Sequence, residues 1–279
     1  MLYLVLAHPQ DETALRVGAA LRRRHGRSQV RILSAEALAL APVYWHRLGR
    51  HPSTGRFFVE TKITLPDGDV LDSSQPGVIF NRLQLLYPPH FTAAKPEDRD
   101  FAAQELNALW MSWLYSLAGS GWRIINPVSQ HGLAPSSIGP GPGRLEWLAM
   151  AAHAGLRVCE LSTAGGSWTT GAGFLDADSR SRTADGGNGL IHILAAGDQV
   201  QLLDHQSVPA LTATIEKDRI IANERPAIAN LQDLSGCPLL ELQFHLNQEQ
   251  LVLVGVEPFP HFSGPGAVAK IVELLSRSI

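Results

Sequence analysis

The sequence predicts an α/β fold in two domains, and three observations predict it. The chain opens as a β-α-β unit, its last third is rich in strand-like runs, and a Gly-, Pro- and Ser-rich stretch, SQHGLAPSSIGPGPG at 129–143, lies between. Two strands joined through a helix are placed in parallel, because antiparallel neighbours need only a short turn. The expected domains are therefore 1–128, an α/β unit, and 129–279, a unit built on an antiparallel sheet.

Each element follows from local pattern. Leu2 to Leu6 is a short apolar run that ends at a turn signal, hence a buried strand. Asp11 can cap a helix running from Glu12 to about Arg24, whose basic end RRRHG suits a helix C-terminus. Val30 to Leu33 is the next strand. The stretch APVYWHRLGRHPSTG at 41–55 reads as loop, and RFFVETKITLPDGDVLD as a hairpin about Pro66-Asp67-Gly68. GVIFNRL is a further strand, a long helix is expected from about Pro96 to Leu117, and WRIINP is a short strand. After the 129–143 loop come a helix from Arg144 to Ala154, closed by Gly155, and the strand LRVCELST. The Gly-, Ser- and Asp-rich run from Thr163 to Gly189 reads as loop. Strands dominate from there, including ALTATIEKDRIIAN and PLLELQFHLNQEQLVLVGVEPFP, before a closing helix from Gly266 to Ser276.

Composition narrows the function classes. The 279 residues are 45% hydrophobic with a net charge of −3, which gives no electrostatic case for nucleic acid or an anionic membrane. No apolar run approaches the roughly 20 residues that span a bilayer. The apolar start lacks a basic leader, so a cytoplasmic location is expected. Cys159 and Cys237 sit in apolar surroundings without metal-ligand spacing and read as free thiols.

The first motif to test is His8-Pro9-Gln10-Asp11-Glu12, which resembles the His-Pro-Asp-Asp-Glu signature of zinc-dependent sugar deacetylases. Gln10 stands where the catalytic base would be, and a neutral amide takes no proton from zinc-bound water. None of the other ten histidines forms a His-x-x-His pair that could supply a third ligand. Zinc is disfavoured, and the simpler reading is that His8 ends a strand while Asp11 caps a helix.

Segments in order along the whole chain resemble a different family, the ATP-grasp ligases, in the branch of ribosomal-protein glutamate ligases and microviridin-type peptide ligases. These segments are the LVLAHPQDETALRVGAAL opening, the TLPDGDVLDSSQPGVIFNRLQ hairpin and strand with Arg82, and the helix with Glu105 followed by Trp122, Asn126 and Pro127. GRLEWLAMAAHAGLRV, HILAAGDQV and the closing LLELQFHLNQEQLVLVGVEPFP complete the set. The resemblance implies an ATP-grasp-like fold, with an N-terminal β-α-β domain and a C-terminal antiparallel sheet domain. It also implies ATP and Mg²⁺ as cofactors. By the same resemblance Glu241 and Glu257 would be the metal acids, with Arg144 and His192 at the nucleotide in place of the family's Lys and Arg. Strand alternation sets Glu241, Gln243 and His245 on one face; on the returning strand Glu257 shares the alternation of Leu251, Leu253 and Gly255, and the two acids are expected to face each other across the hairpin and share a Mg²⁺.

The departures from the family pattern matter as much. The third metal position is Phe259, no lysine lies between Lys95 and Lys217, and about 25 residues at 163–189 are few for a full nucleotide-clamping subdomain. The expected function is a degenerate ATP-grasp-like protein with weak or no ligase activity. It would act as a binding or scaffold partner in peptide modification, with a peptide or protein partner and with homo-oligomerisation left open. The alternative is an active ATP- and Mg-dependent carboxylate–amine ligase. The rigid aromatic EPFPHF (Glu257 to Phe262) is where a binding pocket or partner contact is expected.

Overall fold

The computed structural model describes residues 1–50, 52–55, 57–74, 76–83, 91–128, 143–159, 161–164, 167–170, 173–174, 191–203, 214–247, 250–262 and 264–277. The chain forms two compact units: Met1–Ser136 together with His261–Ile279, and Ser137–Pro260.

In the first unit β1 (Leu2–Ala7) is flanked by two parallel neighbours, β2 (Val30–Ser34) and β6 (Gly77–Arg82). The short β7 (Arg123–Ile125) extends the sheet, giving the order β2-β1-β6-β7. Every residue of β6 is buried, as expected of a parallel strand covered on both faces. One face takes α1 (Glu12–His25), where Gly18 lies so close to Ile32 that a Cβ there would sit 2.5 Å from its terminal carbon. The other face carries Leu4, Leu6 and Ile79 into a core with Trp110, Trp113, Leu114 and Leu117 of α3 (Pro96–Gly119). Asp11 caps α1 through an Oδ1 that accepts from the Ala14 N–H at 2.9 Å. A five-residue helix, α2 (Ala35–Ala39), leads to a second sheet. There β3 (Val43–Arg50), β4 (Phe57–Thr64) and β5 (Val70–Asp72) pair antiparallel in sequence order.

The chain returns to this unit at its end. Helix α6 (Pro265–Ser276) packs on α1 and buries Ala267, Val268, Ile271, Val272, Leu274 and Leu275. Arg123 Nη2 donates to the carbonyls of Leu274 and Leu275 at 2.6 and 2.8 Å, a cation placed where the helix leaves acceptors without intrahelical partners.

The second unit begins with α4 (Arg144–His153) and contains a small antiparallel sheet of β8 (Leu161–Ala164), β9 (Ser167–Thr170) and β10 (Gly173–Phe174). Its main sheet joins β11 (Ile191–Ala196), β12 (Gln199–Leu203), β13 (Leu239–Asn247) and β14 (Gln250–Glu257), all antiparallel in the order β12-β11-β13-β14. One face packs Ile191, Ile193, Leu240, Leu242, Phe244, Leu251, Leu253 and Val256 against Trp147, Leu148 and Ala151 of α4. Ile228 and Leu231 of α5 (Thr214–Ser235) complete that core.

The structure departs from sequence pattern in several places. The stretch read as loop at 41–55 contains the eight-residue β3, whose Tyr44 packs against the core while Trp45 stands exposed. The expected strand ALTATIEKDRIIAN is helix from Thr214 onward, its β-branched residues overridden by continuation into ERPAIANLQDL with Ile228 and Leu231 buried; residues 210–213 lie outside the described residues. The single strand expected at LRVCELST is an isolated bridge of Val158 to Leu253 followed by β8. Three short strands lie within the 163–189 run that read as loop or flank it; residues 175–190 lie outside the described residues.

Candidate functional site

The strands of the main sheet alternate, and the face opposite α4 and α5 carries polar side chains beside the buried Leu194 and Leu239. β11 contributes His192 and β13 contributes Glu241 and Gln243, with His192 directly opposite Gln243. Along β14 simple alternation from Leu251 and Leu253 would send Glu257 into the core. The register instead slips by one residue: Phe244 pairs with Leu253, Gln243 with Gly255, Leu242 with Val256 and Glu241 with Glu257. Val254 is the extra residue of this bulge. Beyond it Val256 turns to the core and Glu257 joins Glu241 on the polar face. The expected facing of the two acids is present, for a reason that alternation alone does not supply.

The surroundings of each acid are specific. Glu241 is only 8% exposed and its Oε1 lies 2.6 Å from His192 Nδ1. Glu257 Oε1 accepts from the Phe259 N–H at 2.8 Å, a local turn that begins the EPFPHF segment. Gln243 occupies the space over Gly255, where a Cβ would come within 2.8 Å of its Oε1. Gln201 Oε1 is buried with no hydrogen-bond partner.

Arg144 is not part of this cluster. It is the first residue of α4, and its Nη2 donates 2.7 Å to the carbonyl of Val254. A bulge leaves a backbone group without its ladder partner, and here the guanidinium satisfies it. Arg144 is near enough to Cys159 to hold its thiol down slightly, although burial outweighs this and raises the pKa. The hydrogen bond of its guanidinium goes to the bulge and that of His192 to Glu241. Three of the four residues singled out from sequence are thus brought together, and the fourth anchors the bulge beside them.

In unit 1 the carboxyl ends of the parallel strands hold a second polar group. Arg82, at the end of β6, is wholly buried, and its Nε donates to Asp11 Oδ2 at 2.6 Å. Asp11 thereby serves as helix cap and as counter-ion. Sequence reasoning found the cap but not the ion pair, whose members are 71 residues apart and carry no local signal. Gln201 was missed as well. Its only sign was a polar position in an otherwise strand-like run.

Proteins of known structure share this fold. The macrocyclase MdnC from Microcystis aeruginosa, solved with the precursor peptide MdnA bound, is 12% identical, with a TM-score of 0.66 and 100% of both chains covered. A RiPP-associated ATP-grasp ligase from Chryseobacterium gregarium, in complex with ADP and a leader and core peptide, is 11% identical with a TM-score of 0.61. That match covers 99% of this chain and 96% of the other. The macrocyclase MdnB, also from M. aeruginosa, is 12% identical with a TM-score of 0.59 and 98% of each chain covered. No family model matches the chain, and no curated protein matches it by sequence. The fold is that of the ATP-grasp peptide ligases, and the mixed α/β architecture expected from sequence is the one observed.

Proposed function

We propose that this protein is a degenerate ATP-grasp-like protein, with weak or no ligase activity, that acts as a binding or scaffold partner in peptide modification. The observation that carries the reading is the internal engagement of every residue that would hold the nucleotide and its metal. Glu241 is bound by His192, Glu257 by the Phe259 amide, and Arg144 by the Val254 carbonyl. Magnesium needs several oxygen ligands in near-octahedral array, and transferring phosphates need cations around them. Here two carboxylates face each other, a phenyl ring stands at the third position, and the arginine is turned to backbone. Among the described residues the set does not fit magnesium and a triphosphate. The peptide context comes from the similar structures, two of which contain a bound peptide: a precursor peptide in MdnC, and a leader and core peptide in the C. gregarium ligase.

One observation favours the alternative, an active ATP- and Mg-dependent carboxylate–amine ligase: the bulge at Val254 puts Glu257 directly opposite Glu241. Isothermal calorimetry with Mg-ATP separates the two. The degenerate reading expects no heat, or an affinity no tighter than about millimolar, worth roughly 4 kcal/mol. Micromolar binding that disappears in Glu257→Gln would establish the ligase reading instead.

A further inference from the structure

The polar group at the carboxyl ends of the parallel strands lies entirely within unit 1. Three adjacent strands contribute. β1 runs into His8 and Asp11, β6 ends in Asn81 and Arg82, and β7 is followed by Asn126. Asn81, Arg82 and Asn126 are all 0% exposed. In open α/β sheets the carboxyl-end edge is where ligands are received.

Most of these groups are held by the protein itself. Asn81 Nδ2 donates to the Asn126 carbonyl at 3.1 Å, and Asn81 Oδ1 accepts from the Leu83 N–H at 3.3 Å. Arg82 is neutralised by Asp11, and its Nη2 lies 3.4 Å from His261 Nδ1 at the exposed rim. Asn126 is different. Both polar atoms of its side chain, Oδ1 and Nδ2, are buried without a hydrogen-bond partner, although its backbone is fixed by Asn81. A buried amide with neither donor nor acceptor used is uncommon in a native protein and calls for a reason. Asn126 is also the single non-glycine described residue with positive φ, at 60°, and it precedes Pro127, which favours an extended conformation instead. The residue is held against its local preference with its recognition group unspent.

We propose that this strand-end edge is a binding site for a peptide amide group, read by the side chain of Asn126. The inference rests on the reading of the chain as a peptide-binding protein. An asparagine side chain presents one acceptor and one donor pair side by side, which matches the N–H and C=O of another amide. The charges of Arg82 and Asp11 offset each other, so beside this pair a neutral amide fits better than a free carboxylate or phosphate. Because Asn126 is covered in this structure, occupation includes a local movement, and the left-handed backbone before Pro127 is the point with reason to move.

The test uses the full chain, ¹⁵N-labelled, titrated with N-acetyl-alanyl-alanine amide and, separately, with sodium acetate. Asn126→Gly is the informative variant, since glycine accepts the positive φ and removes the unpartnered amide, and its circular dichroism should match that of the parent at the temperature of the titration. The expected result is a saturable shift of the Asn126 side-chain NH₂ signals with the dipeptide amide, none with acetate, and affinity about tenfold weaker in Asn126→Gly, the loss expected for two hydrogen bonds. Equal affinity in the variant, or tighter binding of acetate, overturns the proposal. Peptide binding that leaves the Asn126 signals unmoved overturns it while keeping a peptide-binding role. Failure of the dipeptide amide and of longer peptides to bind at all removes both.

Discussion

At the scale of single residues, burial decides what a side chain can do, and the sequence shows burial only indirectly. Cys237 was legible as a free thiol in apolar surroundings, and it is 2% exposed, in the turn between α5 and β13. Burial pushes its thiol up from 9.0 to about 11 against a weaker opposing hydrogen bond to Ser235. The folded state therefore keeps a proton that the unfolded chain gives up above pH 9. That difference stabilises the fold fully below the unfolded value and is lost as pH rises through the folded one. Between pH 9 and about 11 the parent should lose on the order of 2 kcal/mol relative to Cys237→Ala, read from urea unfolding across that range. Parallel stability curves for the two proteins would show that Cys237 contributes nothing to the pH dependence. Asp11 shows the opposite kind of legibility. Its capping role follows from position ahead of a helical pattern, whereas its bond to Arg82 depends on how β1 and β6 come together, which no local window contains.

At the scale of elements, period and turn chemistry carried most of the information. The strand β1, the helix α1 and the parallel pairing of β1 with β2 could be read directly, because a parallel-sheet strand is apolar throughout and a capped helix has a recognisable start. The β14 bulge could not be read, since nothing in QLVLVGVE marks Val254 as the residue that breaks alternation. For the candidate site this was the decisive element: the pairing of Glu241 with Glu257 depends on it. Helix α5 was obscured by β-branched residues near its start, and burial of Ile228 and Leu231 later in the helix settles it. Close packing between elements also has a direct test at Gly77, the first residue of β6. A Cβ there would press on the Trp122 ring and come 2.7 Å from the Leu2 carbonyl, backbone that cannot yield without disturbing the β1–β6 ladder. Gly77→Ala should cost about 1–3 kcal/mol, visible as a lower denaturation midpoint with unchanged slope. A neutral result would mean that β6 can shift relative to β1.

At the scale of the whole molecule, the order of residues along the chain does not follow the division into units. The first unit is assembled from 1–136 and from the final segment beginning at His261, with the second unit formed by the residues between. Periodicity revealed α6 as a helix but could not show which sheet it serves. Its partners are α1, the Arg123 side chain, and His25, whose Nε2 lies 2.8 Å from Ser276 Oγ. Six of its side chains are buried, and each apolar one of Val, Leu or Ile size is worth about 1.5–3 kcal/mol when fully buried, a sum comparable with the total stability of an ordinary domain. Unit 1 should therefore fail to hold its structure when residues 264–279 are removed, while unit 2 retains its own core. Tryptophans report the two units separately: Trp110, Trp113 and Trp122 lie in the unit 1 core and Trp147 in that of unit 2. Near-ultraviolet circular dichroism of single-tryptophan versions of the shortened chain should lose the signal of the first three and keep that of Trp147. Retention of the unit 1 signals would mean that the parallel sheet, covered by α1 and α3, is self-sufficient and that α6 is an accessory to it. Loss of the Trp147 signal as well would mean that the two units unfold as one cooperative body.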